Sequence, residues 1–138
     1  MAACPSHAIY RTQEGVVVVD ESRCVGARAC VSACPYGSIF FLEDGGTYYP
    51  GYETPYEAFH RRNRKVKIAI KCDFCIARVR DGREPACVEA CPTEARIFGD
   101  LDDPNSKIAQ YLKTRVPRVE PKTLRPEAGT KPKVLYLL

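Results

Sequence analysis

The sequence predicts an α+β fold of short hairpins and short helices, interrupted by one insertion and ended by an extended C-terminal tail. The 138 residues have room for one domain or two very small ones. The 9 Gly and 11 Pro indicate many loops, while hydrophobic residues make up 45% and aromatic residues only 9%. The composition is unusual in its eight Cys, against one Met. They indicate that something bound at the cysteines holds a small core together.

The cysteine spacing is typical of iron–sulfur ligands. The bacterial cluster-binding run reads C-x2-C-x2-C-x3-C-P. The segment from Cys24 to Pro35 has this spacing with Ala27 at the second cysteine position, and the segment from Cys72 to Pro92 has it with a longer central loop. Disulfides are disfavoured because Cys72 and Cys75 are too close in sequence to bridge easily. Zinc is disfavoured because there is no second Cys-x2-Cys pair and no His at ligand spacing.

Three segments of the chain repeat one pattern around a Cys-Pro pair, at Cys4, Cys34 and Cys91. In the second and third segments another Cys stands four residues before the pair, and four residues before Cys4 falls just ahead of Met1. We therefore expect the chain to be the C-terminal portion of a longer iron–sulfur protein, or to complete its sites with another chain.

Hydrophobic patterning places short elements around these repeats. We expect a hairpin of Ala8–Tyr10 and Val16–Val19, short helices ending near Cys34 and Cys91, strands at Ile39–Leu42 and Arg96–Phe98, and a capped helix at Lys107–Lys113. The predicted organisation is a first cluster domain at 1–43, an insertion with a basic run at 44–71, a second cluster-binding segment at 72–115 and an extended Pro-rich tail at 116–138. Tyr48, Tyr49, Tyr52 and Tyr56 are expected to pack the insertion.

The net charge of +4 comes from one local run. This basic run contains six cations and no acid: Arg61, Arg62, Arg64, Lys65, Lys67 and Lys71. We interpret it as a solvated loop or a contact with an acidic partner. Nucleic acid is not expected, because no aromatic residues alternate with the cations as a base-stacking groove requires. No apolar run reaches the roughly 18 residues of a membrane-spanning helix, so no direct membrane span is expected.

With these motifs the sequence resembles the four-cluster ferredoxin-like iron–sulfur (beta) subunits of molybdopterin oxidoreductases, such as dimethyl sulfoxide, polysulfide and tetrathionate reductases. The most specific segments are Lys71–Cys75, Ala86–Thr93, Ile97–Asp100 with Asp103-Pro104, and Gly129–Pro132. The resemblance implies a bacterial dicluster ferredoxin-like fold and an electron-transfer subunit that is not itself an enzyme. Its partners would be a molybdopterin-type catalytic subunit and a membrane quinone or haem subunit. The respiratory complex would be membrane-associated, on either face of the membrane.

The resemblance also implies a ligand assignment. Cys4, Cys24 and Cys30 would hold a 3Fe–4S cluster, because Ala27 occupies the fourth ligand position. Cys72, Cys75 and Cys87 would hold a 4Fe–4S cluster whose fourth ligand lies outside this chain. Cys34 and Cys91 would serve clusters shared with the missing N-terminal iron–sulfur portion.

Two alternatives to this assignment remain open. A self-contained pairing would place Cys91 with Cys24 and Cys30, and Cys34 with Cys72, Cys75 and Cys87. A water or a carboxylate could also complete a four-iron cluster at Ala27. The alternative functions are a soluble seven-iron ferredoxin and an interaction module with vestigial clusters. The sequence does not encode the redox substrate, the direction of electron flow or the cluster potentials.

Overall fold

The computed structural model describes residues 1–44, 46–63, 65–115 and 120–137, with the side chains of 61–63 and 115 excepted. The chain forms two compact units, Met1–Asp73 and Phe74–Leu138. The first unit contains β1 (Ile9–Arg11), β2 (Val17–Val19), α1 (Ala29–Ala33), β3 (Phe40–Leu42), α2 (Pro55–Asn63) and β4 (Ile68–Ile70). The second unit contains α3 (Ile76–Arg80), α4 (Ala86–Glu89), α5 (Lys107–Arg115) and a 3-10 turn (Pro126–Ala128).

Two antiparallel two-stranded sheets build the first unit. β1 pairs with β2 in the register Ile9 to Val19, which confirms the predicted hairpin. β3 pairs with β4 in the register Phe40 to Ile70. A two-stranded sheet is only marginally stable on its own, so each sheet needs an apolar surface to pack against. For the β1–β2 sheet, the core provides it through Cys4, Ala8 and Ile9, against which valines of β2 and two further cysteines pack. In the β3–β4 sheet, Ile68 and Ala69 of β4 are buried.

The insertion has more structure than the sequence analysis predicted, since it contributes α2 and β4. The buried carboxylate of Glu57 accepts hydrogen bonds from the backbone N–H groups of Tyr48 (2.6 Å) and Thr54 (2.8 Å). The N–H of Glu57 donates to the Thr54 hydroxyl at 3.2 Å, which completes a capping box at the start of α2.

The expectation that four tyrosines pack the insertion is wrong. The rings of Tyr48, Tyr49, Tyr52 and Tyr56 are 60–81% exposed, because the Glu57 hydrogen bonds, not the rings, close this segment. Within the basic run, Arg64 and the side chains of Arg61 and Arg62 lie outside the described part of the chain.

The second unit contains the predicted short helix before Cys91 and the predicted helix over Lys107, here α4 and α5. The Ser106 hydroxyl accepts from the N–H of Ala109 at 3.2 Å and caps α5. The strand predicted at Arg96–Phe98 is wrong, since the described ladders are β1–β2 and β3–β4. Side-chain packing holds this segment instead. The Phe98 ring lies 5.9 Å from the Phe74 ring, centroid to centroid.

The tail does not run extended throughout. Lys122 and Tyr136 exchange two backbone hydrogen bonds of 2.8 Å, so the chain turns back between them. The 3-10 turn at Pro126–Ala128 lies within this loop, where Pro at the first position suits the turn because its missing N–H is not needed there. Residues 116–119 and Leu138 lie outside the described residues.

Candidate metal centres

One cavity of the first unit brings together the three cysteines predicted to share a cluster. Cys4, Cys24 and Cys30 line it, and so does Ala27. Cys4 is buried, while Cys24 and Cys30 are half-buried and pack against the same apolar core. The three cysteines and Ala27 therefore line a single space, while the assignment of a cluster to them stays a prediction.

Backbone amides donate to two of these thiols. The N–H of Ala8 donates to Cys4 Sγ at 3.3 Å, and the N–H of Ala69 donates to Cys24 Sγ at 3.5 Å. Hydrogen bonds of this kind support thiolate ligands and are one of the means by which a protein sets a cluster's potential. The second bond joins residues 45 positions apart, so it depends on β4 lying against the ligand loop.

The ligand loop between Cys24 and Cys30 has an unusual backbone. Gly26 (φ 74°) and Arg28 (φ 55°) are both left-handed, a conformation that costs energy for a residue with a Cβ. A Cβ at Gly26 would lie 2.9 Å from the carbonyl oxygen of Lys67, so only glycine fits there. The Arg28 guanidinium stacks 4.1 Å above the Phe41 ring and pairs with Glu43.

The three Cys-Pro segments share one turn, which gives the sequence repeat a structural basis. In each, the N–H three residues after the cysteine donates to the cysteine carbonyl, at 3.2, 3.3 and 3.2 Å. The donating residue is left-handed each time: His7 (φ 51°), Gly37 (φ 60°) and Glu94 (φ 50°). The turn reverses the chain after the cysteine and directs the following amides back towards its sulfur.

The same three thiols have lowered pKa values. Burial acts to raise the pKa at Cys4 and Cys34, but a nearby hydroxyl and several backbone N–H groups outweigh it. At Cys91 the hydroxyl is the largest influence on the pKa, and it also lowers it. The contacts between sulfur and hydroxyl oxygen are Cys4 to Ser6 (3.6 Å), Cys34 to Ser38 (3.4 Å) and Cys91 to Thr93 (3.5 Å). At each site these groups therefore stabilise the thiolate, the form that binds iron, relative to an ordinary cysteine.

Two lysines of the basic run bind backbone carbonyls of the first unit. The Lys65 ammonium donates to the carbonyl oxygens of Glu21 (2.5 Å), Ser22 (3.3 Å) and Cys24 (3.4 Å). Lys65 is exposed, as expected for a solvated loop, but its ammonium also holds the segment that leads into Cys24.

Lys71 is the second of these lysines, and its ammonium donates to the carbonyls of Val17 and Cys72. Burial lowers the pKa of Lys71, while the negative groups at Cys72, Asp73 and Cys34 act in the opposite direction. The interpretation of the run as a solvated loop is wrong for Lys71, because this half-buried side chain joins β2 to the ligand hook.

The second ligand run is divided between the two units. Cys72 is the penultimate residue of the first unit, and Cys75 and Cys87 lie in the second. Cys75 (φ 52°) is left-handed and precedes α3, whose Arg78 donates to the carbonyl of Glu84 at 2.9 Å and pairs with Glu89 of α4. Arg78 thus closes the long loop that separates Cys75 from Cys87 in sequence.

Comparison with known proteins identifies the family. Profiles described as "4Fe-4S dicluster domain" match residues 1–38 and 52–101. The iron–sulfur subunit of the arsenate respiratory reductase of Shewanella sp. (strain ANA-3) is 36% identical over 97% of this chain and 67% of its own length. The B subunit of the tetrathionate reductase of Salmonella typhimurium (strain LT2) is 40% identical, over 97% of this chain and 44% of its own length. This protein belongs to the ferredoxin-like iron–sulfur (beta) subunits of molybdopterin oxidoreductases.

The B subunit of the polysulfide reductase of Wolinella succinogenes is also similar, at 37% identity over 99% of this chain and 59% of its own length. The chain thus spans about half the length of some of the relatives that it matches. Membership of this family makes it an electron-transfer protein with iron–sulfur clusters, not a catalytic subunit. The carriers are the clusters, and the protein positions them and tunes their potential.

Within the described residues, which include all eight cysteines, none forms a disulfide. In the same ranges, no three His, Cys, Asp or Glu side chains converge closely enough to hold a single metal ion. A cluster instead takes thiolates from separate directions, as the cavity lined by Cys4, Cys24 and Cys30 offers them. None of the helices described is long and apolar enough to cross a membrane.

Sequence reasoning missed the residues that support the ligands. The hydroxyls of Ser6, Ser38 and Thr93 could have been found, because each follows a Cys-Pro cysteine by two or four positions. No local sequence pattern predicts the lysine contacts. Apart from the carbonyl of Cys72, the carbonyls that Lys65 and Lys71 bind belong to residues 41 to 54 positions away.

Proposed function

We propose that this chain relays single electrons between a molybdopterin-type catalytic subunit and a membrane quinone or haem subunit of a respiratory complex. A 3Fe–4S cluster on Cys4, Cys24 and Cys30 would be one carrier. The observation that carries the proposal is the cavity in which these three thiols meet Ala27, with backbone amides aimed at two of the sulfurs. The complex would be membrane-associated through its membrane quinone or haem subunit.

The other cysteines would serve further carriers in the same relay. Cys72, Cys75 and Cys87 would hold a 4Fe–4S cluster, with the fourth ligand supplied by polypeptide outside these 138 residues. Cys34 and Cys91 would each complete a cluster whose remaining ligands also lie outside them. The lowered pKa values of the Cys34 and Cys91 thiols support a ligand role for both. The relatives whose full lengths exceed this chain are consistent with ligands elsewhere in the protein.

Matched cysteine variants test the ligand assignment. Cys4→Ser and Cys91→Ser each remove one Cys-Pro thiol from the same kind of turn. We expect Cys4→Ser to abolish the 3Fe–4S signal in the electron paramagnetic resonance (EPR) spectrum of the oxidised protein, and Cys91→Ser to leave it in place. The reverse result would contradict the assignment and support the pairing of Cys91 with Cys24 and Cys30.

Anaerobic size-exclusion chromatography of the native protein tests the relay. We expect this chain to elute in a complex that also contains molybdenum, measured by mass spectrometry across the same peak. Elution as a free small protein with its iron but without molybdenum would contradict the subunit role and support an independent seven-iron ferredoxin. Elution without iron from anaerobic material would contradict both.

A further inference from the structure

Lys71 lies where one positive charge reaches two cysteines of different ligand runs. It follows β4 and immediately precedes Cys72. Its ammonium is half-buried and donates to the carbonyl oxygen of Val17 in β2 and to that of Cys72. These two bonds fix the position of the charge, because an ammonium held by two carbonyls from separate segments has little freedom to move.

Burial lowers the pKa of Lys71, and the negative groups at Cys72, at the neighbouring Asp73 and at Cys34, which lies at the end of α1, act in the opposite direction. Cys34 and Cys72 are 38 positions apart and belong to different runs. Partial burial strengthens such an attraction, because salt and water screen a half-buried charge less than an exposed one.

We propose that Lys71 is a positioning residue that raises the reduction potentials of the clusters bound through Cys72 and Cys34. This inference rests on the proposed function, in which both cysteines are cluster ligands. Reduction adds one electron, and hence one negative charge, to a cluster. A fixed cation nearby stabilises the reduced form more than the oxidised form, so removing the cation lowers the potential. Lys71 would thereby favour electron entry at the clusters bound through these cysteines.

Lys71 both carries a charge and donates hydrogen bonds. A replacement that is neutral but still has a hydrogen-bond donor distinguishes these two roles. Lys71→Gln retains an N–H donor for the carbonyls but removes the charge. Acetyl-lysine introduced at position 71 also removes the charge, and it keeps nearly the full length of the side chain. Lys71→Arg keeps the charge and the donors. Lys67→Gln is the matched control, because Lys67 is an exposed lysine four positions earlier in the same segment.

EPR-monitored redox titration of the iron-loaded protein measures the potentials. We expect Lys71→Gln and the acetyl-lysine variant to shift the midpoint of the reduced 4Fe–4S signal to lower potential, with Lys71→Arg and Lys67→Gln close to the wild type. The midpoint of the 3Fe–4S signal should move less than that of the 4Fe–4S signal. An unchanged 4Fe–4S midpoint in either charge-neutral variant, or an equal shift in Lys67→Gln, would overturn the proposal. Absence of 4Fe–4S signals from the wild type would instead overturn the proposed function.

Discussion

The sharpest stability prediction concerns Gly26, the left-handed residue of the first ligand loop. In Gly26→Ala the new Cβ would lie 2.9 Å from the carbonyl oxygen of Lys67. The backbone at Lys67 cannot shift easily to relieve this contact, because the Lys67 N–H donates to the Leu42 carbonyl at 2.6 Å and extends the β3–β4 ladder. We expect the left-handed backbone to cost about 1–2 kcal/mol and the forced contact about 1–3 kcal/mol more.

Gly15→Ala is the matched control for this prediction. Gly15 is also left-handed (φ 82°), but nothing lies within 4 Å of the position that a Cβ would take there. Gly15→Ala should therefore carry only the cost of the left-handed backbone and not that of a forced contact. The assay is the guanidinium concentration at which half of the iron–sulfur absorbance is lost, measured anaerobically. We expect Gly26→Ala to lose its clusters at clearly lower denaturant than Gly15→Ala, with the 3Fe–4S EPR signal lost first. Equal midpoints for the two variants would refute the close packing of the ligand loop on β4.

Three further predictions concern the same cavity. Ala27→Cys supplies the missing thiol, so the oxidised 3Fe–4S EPR signal should disappear while iron rises by about one atom per chain; a persisting signal would contradict the role of Ala27. Ser6→Ala removes the hydroxyl near Cys4 Sγ and should lower the 3Fe–4S midpoint potential in a redox titration, whereas Ser32→Ala on α1 should not. Lys65→Met leaves three carbonyls without the ammonium that they bind. Because Lys65 is exposed, we expect the free energy of unfolding to fall by only about 1 kcal/mol. The rate of cluster loss should rise, and an unchanged rate would contradict a structural role.

The three cysteines that line one cavity could be predicted from the sequence because spacing acts locally. The gap between Cys24 and Cys30, and the repeat that places Cys4 at a third Cys-Pro turn, were enough to predict which thiols line one cavity. α2 was also within reach, since Thr54 and Glu57 have the spacing of a capping box, but the surrounding aromatic residues and prolines indicated only a loop.

Long-range contacts account for what the sequence did not predict. β4 is three residues long and lies within the basic run, so only its pairing with β3 identifies it as a strand. The segment at Arg96–Phe98 has strand-like residues but no strand beside it among the described residues, and ring packing of Phe98 holds it instead. Propensity alone cannot distinguish these two outcomes, because a strand depends on its partner.

Whether three cysteines and an alanine form a three-iron site can be tested directly by one measurement. A 3Fe–4S cluster is paramagnetic when oxidised, whereas an oxidised ferredoxin-type 4Fe–4S cluster gives no EPR signal. The measurement is EPR of the oxidised, anaerobically purified protein, with iron quantified in the same sample. We expect a 3Fe–4S signal near one spin per chain. An EPR-silent oxidised sample that still contains iron would contradict the three-iron site, because another ligand would then fill the corner at Ala27.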